Sequence, residues 1–213
     1  MKKAILTVLF TILVTVVFVS PISFVYLLTK SRVALNEEVF LKKAVLFAAG
    51  VQLPATNEAV VAAFTERAEE VQSNGGAAAY YRIRAGAEGN APAAPSDEPS
   101  GYVFIRRGPG LWGEITAAVG FDAGFASLTG VDFLKQSETP GLGARISETW
   151  FKEQFRGKKG PFTMVGEGEP AADNQFDAIT GATITSNAVL SILNTTVDQA
   201  KSLVQGNAPA APE

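Results

Sequence analysis

The sequence predicts an α+β protein. One N-terminal transmembrane helix occupies residues 1–30. A single domain over 31–204 follows, with helices flanking an antiparallel sheet, and a disordered tail closes the chain over 205–213. Three observations carry this prediction. Residues 4–28 hold no charge. Apolar residues recur at helical spacing in three later stretches. Between the second and third of these, short β-rich runs alternate with glycine-containing turns.

The first element is the uncharged run. Lys2, Lys3, Lys30 and Arg32 flank it, and a membrane span needs about 20 apolar residues. A cleaved signal peptide would have a shorter apolar core and a small-residue cleavage site, which this stretch lacks, so an uncleaved anchor is expected. Pro21 is expected to kink or end the tightest part of the helix. The flanking charges leave orientation open. Lys30, Arg32, Lys42 and Lys43 outnumber Lys2 and Lys3, which favours a cytoplasmic domain. The Lys-Lys start before the apolar run has the form of an anchor whose N-terminus stays inside.

A helix over 35–49 follows, with Val39, Ala44, Val45 and Ala48 on one side and Gly50 as its stop. The next helix, 57–72, places Val60, Val61, Phe64, Ala68 and Val71 on one stripe, and Asn74-Gly75-Gly76 breaks it. Residues 80–84 read as a strand. The stretch 85–100 is rich in Pro, Ala and Gly and reads as a flexible surface loop. Its GNAPAAP (89–95) recurs at 206–212 as low-complexity spacer. Strands are expected at 102–106, 115–121, 128–135 and 162–165. A helix capped by Ser147 is expected over 148–155. A final helix begins near Ser186, with Val189, Ile192, Leu193, Thr196, Val197, Ala200 and Val204 on its inner face.

Composition narrows the chemistry. Across 213 residues there is no Cys and no His, and the net charge is −3. Disulfides, thiolate nucleophiles, Cys-ligated metals and histidine acid–base catalysis are therefore excluded. No basic stripe exists to neutralise nucleic-acid phosphates. Neither a catalytic residue nor a metal ligand is assigned.

Two motifs remain. TGATITS (180–186) sits where a strand is expected to give way to the last helix, with Thr185, Ser186 or Asn187 as its N-cap. The first turn of a helix leaves N–H groups unpaired at a positive dipole end, which suits a phosphate. A plain capped helix after a turn fits the same residues. ETPGLGARI (138–146) contains Pro140, Gly141 and Gly143. Such a segment can lay backbone against a planar ligand, or form an ordinary turn.

Together with KKAVLFAAGV (42–51), GPGLWGEI (108–115), WFKEQFRGKK (150–159) and DAITGATITSNAV (177–189), these motifs resemble the FMN-binding family. That family includes the C subunit of the Na⁺-translocating NADH:quinone reductase and the G subunit of the Rnf complex. The resemblance implies FMN joined to Thr183 through a phosphoester, installed by a flavin transferase that uses FAD. It also implies a cofactor site formed by Thr180, Gly181, Ala182 and Thr185 together with Glu138, Thr139, Pro140, Gly141, Leu142 and Gly143. Trp112 is a further candidate for contact with the ring, although burial in the core is the ordinary role for it and for Trp150. The family often has His where this chain has Gln136.

The implied function is electron transfer within an ion-translocating NADH:quinone oxidoreductase, alongside other membrane subunits, with the domain on the periplasmic face. The G subunit of an Rnf complex (a ferredoxin:NAD⁺ oxidoreductase), a stand-alone anchored flavoprotein and a cofactor-free anchored binding module are the alternatives.

Overall fold

The computed structural model describes residues 2–71, 80–84, 98–169 and 171–206. Nearly all of the expected loop at 85–100 and of the tail at 205–213 lies outside them. Internal contacts divide the chain into Met1–Phe40 and Leu41–Glu213.

The described residues of the first unit, 2–40, are all helical. Helix α1 (Lys2–Ala48) includes Lys3–Lys30, 28 residues of mean hydropathy 2.6 with no buried side chains, long and apolar enough to cross a membrane. Its hydroxyls do not stay unpaired. Thr7, Thr11, Thr15 and Thr29 each donate to the carbonyl four residues back, which removes the cost of bringing them into an apolar medium. The helix does not end at Pro21, and the separate helix expected at 35–49 is its continuation. No glycine interrupts residues 22–48, so nothing after Pro21 stops the winding until Gly50. There the Val51 N–H reaches back to the Leu46 carbonyl.

The second unit is built on a five-stranded antiparallel sheet in the order β1-β2-β3-β4-β5. The strands are β1 (Ala68–Val71), β2 (Tyr80–Arg84), β3 (Pro99–Pro109), β4 (Glu114–Asp122) and β5 (Leu128–Lys135). This is the expected fold class. On one face Tyr80, Phe104, Val119 and Phe133 pack with Val189, Ile192, Leu193 and Ala200 of the last helix. On the other face Tyr81, Ile83, Val103 and Ala118 pack with Ala44, Val45 and Ala48 of α1. A sheet covered on both faces accounts for β4, where Ile115–Phe121 are all buried instead of alternating.

Several expectations need correction. Helix α2 (Asn57–Arg67) stops five residues early, because Ala68–Val71 pair with β2 as an edge strand. The 148–155 helix is only α3 (Thr149–Glu153). Its N-cap is Glu148, not Ser147, and no side chain makes the cap bond. The segment before it, Gly143–Ser147, is a 3₁₀ turn. Strand β6 (Thr163–Val165) pairs in parallel with β7 (Gln175–Asp177), a strand of three residues too short to leave a period. Helix α4 (Thr183–Gly206) begins three residues ahead of Ser186. The Ser186 backbone N–H already bonds the Ala182 carbonyl, so this serine lies inside the first turn and is not its cap.

Candidate functional site

Three loops meet at the N-terminus of α4. The first is the tip of the β3–β4 hairpin, carrying Leu111 and Trp112. The second is the chain from Ser137 to Gly143, after β5. The third is the turn Thr180–Ala182 with the first turn of α4. They enclose a cleft of about 300 Å³, lined by Leu111, Glu138, Thr139, Leu142, Gly143 and residues 181–185. Eight of the twelve residues singled out in the sequence line it, so the motifs of the sequence meet in space. Thr183 is among them, exposed, and first in the helix.

Two of the eight face the protein more than the cleft. Thr185 is buried, its hydroxyl turned to a carboxylate. At Gly143 a Cβ would come within 2.5 Å of the Thr185 hydroxyl and 2.9 Å of the Glu138 Cβ. The need there is close packing within the protein.

The other four stand outside the lining. Pro140 and Gly141 are exposed. Gly141 takes φ +74, and a Cβ there would meet nothing; its need is the left-handed backbone. The Thr180 N–H donates to Glu167 Oε2 at 2.8 Å. Trp112 is not core. It is 70% exposed, and its indole N–H donates to Thr139 Oγ1 at 3.1 Å. Trp150, also expected to be buried, is 36% exposed and lies against the Arg145 guanidinium. Both indoles end in an N–H that needs a polar partner, which keeps them at the surface.

The floor of the cleft is polar and fully paired. Glu138, 5% exposed, accepts from the Leu111 and Trp112 N–H groups at 3.0 and 3.1 Å through Oε1. It accepts from the Thr185 hydroxyl at 2.5 Å through Oε2. Gln136 Oε1 accepts the Glu138 N–H at 2.7 Å, so this glutamine braces the backbone beside the cleft.

The turn ahead of α4 is fixed twice. Ser186 Oγ accepts the Ile179 N–H and donates to the Ala182 carbonyl. Glu167 accepts the Thr180 N–H and a two-pronged bond from Arg145 at 2.6 and 3.1 Å. Arg145, with help from Thr180, holds the Glu167 carboxyl down to about 2. Sequence reasoning misses Glu167 and Arg145, since a surface ion pair spanning 22 positions leaves no local pattern.

These features fit an FMN-sized anion with a planar body. The first turn of α4 carries no acidic residue to compensate its dipole. The rim is apolar and solvent-facing at Leu111, Leu142 and Ile184. The exposed Thr183 hydroxyl stands at the helix start.

Comparison with known proteins agrees with this geometry. Residues 110–198 match the FMN-binding domain family. Over 98 residues the chain is 40% identical to the G subunit of the ion-translocating oxidoreductase complex of Methanosarcina acetivorans, covering 46% of this chain and 50% of that one. Over 101 residues it is 34% identical to the C subunit of the Na⁺-translocating NADH-quinone reductase of Vibrio anguillarum, covering 44% and 40%. The matches thus span half the length of these relatives or less. The crystal structure of the C subunit of Na⁺-translocating NADH-quinone reductase from Parabacteroides distasonis superposes with a TM-score of 0.64 at 25% identity, covering 82% of this chain and 96% of that one. Every residue lining the cleft lies inside 110–198, so the segment that builds the site is the one that matches the FMN-binding domain family.

Proposed function

We infer that this chain is a membrane-anchored flavoprotein that carries electrons within a larger ion-translocating oxidoreductase, with FMN joined to Thr183 as a phosphoester. One observation carries the reading. The GPGLWG, ETPGLG and TGATITS motifs converge on a single cleft whose mouth holds the exposed Thr183 at a helix N-terminus. FMN, when bound, supplies one- and two-electron transfer. The chain supplies position. The N–H groups of the first turn of α4 would hold the phosphate. Residues 139–143 and the hairpin tip would flank the remainder of the cofactor, with Thr139, Leu142 and Leu111 lining the cleft. The Arg145–Glu167–Thr180 contacts keep the attachment turn in place.

The membrane run between residues 4 and 28 has no charge to carry or gate an ion. The ion path therefore belongs to other subunits, and a flavin transferase is needed for maturation. The C subunit of a Na⁺-translocating NADH:quinone reductase is the reading favoured by the solved structure that extends over 82% of the chain. The G subunit of an Rnf-type complex is favoured by the 40% identity over the shared segment. In both readings the domain lies outside the cytoplasm, where a lost FMN could not be replaced and a covalent bond is useful.

Intact mass of the chain expressed with and without a flavin transferase tests the attachment. A mass increase of one FMN moiety, fluorescence that survives denaturation, and loss of both in Thr183→Ala are expected. Covalent flavin retained in Thr183→Ala would refute the assignment. Purification in mild detergent should bring down multi-span partners with NADH- or ferredoxin-linked activity.

A further inference from the structure

The three motifs do more than lie near one another; they are joined through one buried side chain. Glu138 bonds the hairpin tip through Oε1 and α4 through Oε2. The glycines beside it leave space for the carboxylate. A Cβ on Gly110 would lie 2.6 Å from Oε1, and one on Gly143 would lie 3.0 Å from Oε2. Trp112 adds a second tie from the hairpin, to Thr139, one residue along. Without Glu138, two backbone N–H groups and one hydroxyl lose their acceptor together.

We propose that Glu138 is the positioning residue of the cofactor cleft: it sets the separation between the β3–β4 hairpin tip and α4, and it lays a negative charge on the cleft floor. The proposal rests on the flavin reading for its second half only. The geometric half concerns this chain's own walls. One oxygen of the side chain serves the hairpin tip and the other serves α4, so a single residue can hold both walls. The same charge, lining the cleft, opposes further negative charge on a group bound there. The midpoint potential of that group is thereby lowered.

The two halves separate by experiment. Hydrogen–deuterium exchange is measured on the full-length, flavin-free chain in detergent, together with Glu138→Ala, Glu138→Gln and Thr185→Val. Residues 108–115 should exchange about tenfold faster or more in Glu138→Ala, as loss of bonds to a charged acceptor implies. Protection should persist in Glu138→Gln, whose amide oxygen can still accept both N–H groups. Thr185→Val should loosen only the first turn of α4. Unchanged exchange at 108–115 in Glu138→Ala, or, if that variant does not fold, unchanged exchange at α4 in Thr185→Val, would overturn the positioning role. In the flavin-loaded protein, Glu138→Gln should show a more positive midpoint potential than wild type, with unaltered exchange. An equal potential would overturn the electrostatic role. Absence of any bound flavin would instead count against the proposed function and leave the exchange result standing.

Discussion

A methyl group at position 143 has nowhere to go. Its neighbours are the Thr185 hydroxyl and the Glu138 Cβ, both buried. Gly143→Ala should therefore cost about 1–3 kcal/mol by overpacking, read from chemical denaturation of the detergent-solubilised chain. Gly141 differs, since its Cβ direction is open and only its φ of +74 resists substitution. Glu167 gives a pH test. Its folded carboxyl titrates at about 2, below the usual glutamate value of 4.5. The folded state thus binds the proton less tightly than the unfolded chain. The resulting stabilisation is complete above the unfolded value and disappears as pH falls towards about 2. Between those values wild-type stability should drop more steeply than that of Glu167→Gln. Parallel curves for the two proteins would remove this role from Glu167. The glycines and threonines of the site are legible in the sequence because their motifs are local. The pairing of Glu138 with Leu111 and of Arg145 with Glu167 is not, because those partners are 27 and 22 positions apart.

Among the elements, those with a long hydrophobic period are legible and those fixed by pairing are not. The inner face expected for α4 is the buried one at Val189, Ile192, Leu193 and Ala200. Strand β1 reads as the end of α2 because Ala68 and Val71 continue the helical stripe. What makes them a strand is the ladder to Ile83 and Tyr80. Strand β7 consists of three residues around Phe176, and each of its partners in β6 lies twelve positions upstream. The start of α4 is misleading in the sequence because a serine at a helix N-terminus ordinarily caps it. Here Ser186 sits one turn deeper and braces Ile179 from within. Ser186→Ala should leave that buried N–H unpaired, at a cost of about 1–3 kcal/mol. Under the function proposed above, flavin loading should fall with it, since the same turn leads into Thr183. A variant of wild-type stability would mean that the Ile179 N–H finds another acceptor.

At the scale of the whole molecule, orientation is the largest quantity the charges leave open, since four cations follow the span closely and two precede it. A reporter active only outside the cytoplasm, fused after Glu213, should be active. Activity solely from a cytoplasm-dependent reporter would instead side with the charge count.

The last two turns of α1 have a practical consequence for anyone cutting the gene. Ala44, Val45, Leu46 and Ala48 are buried. The Thr129 hydroxyl donates to the Ala48 carbonyl, and Arg156 bonds the Phe47 and Thr129 carbonyls. The boundary between units falls at Phe40 and Leu41, so what looks like the stalk of a membrane anchor is a wall of the globular part. A soluble fragment begun at residue 52 would expose the apolar sheet face around Tyr81, Val103 and Ala118, and should be recovered in inclusion bodies. One begun near residue 36 keeps the wall and should be recovered in solution.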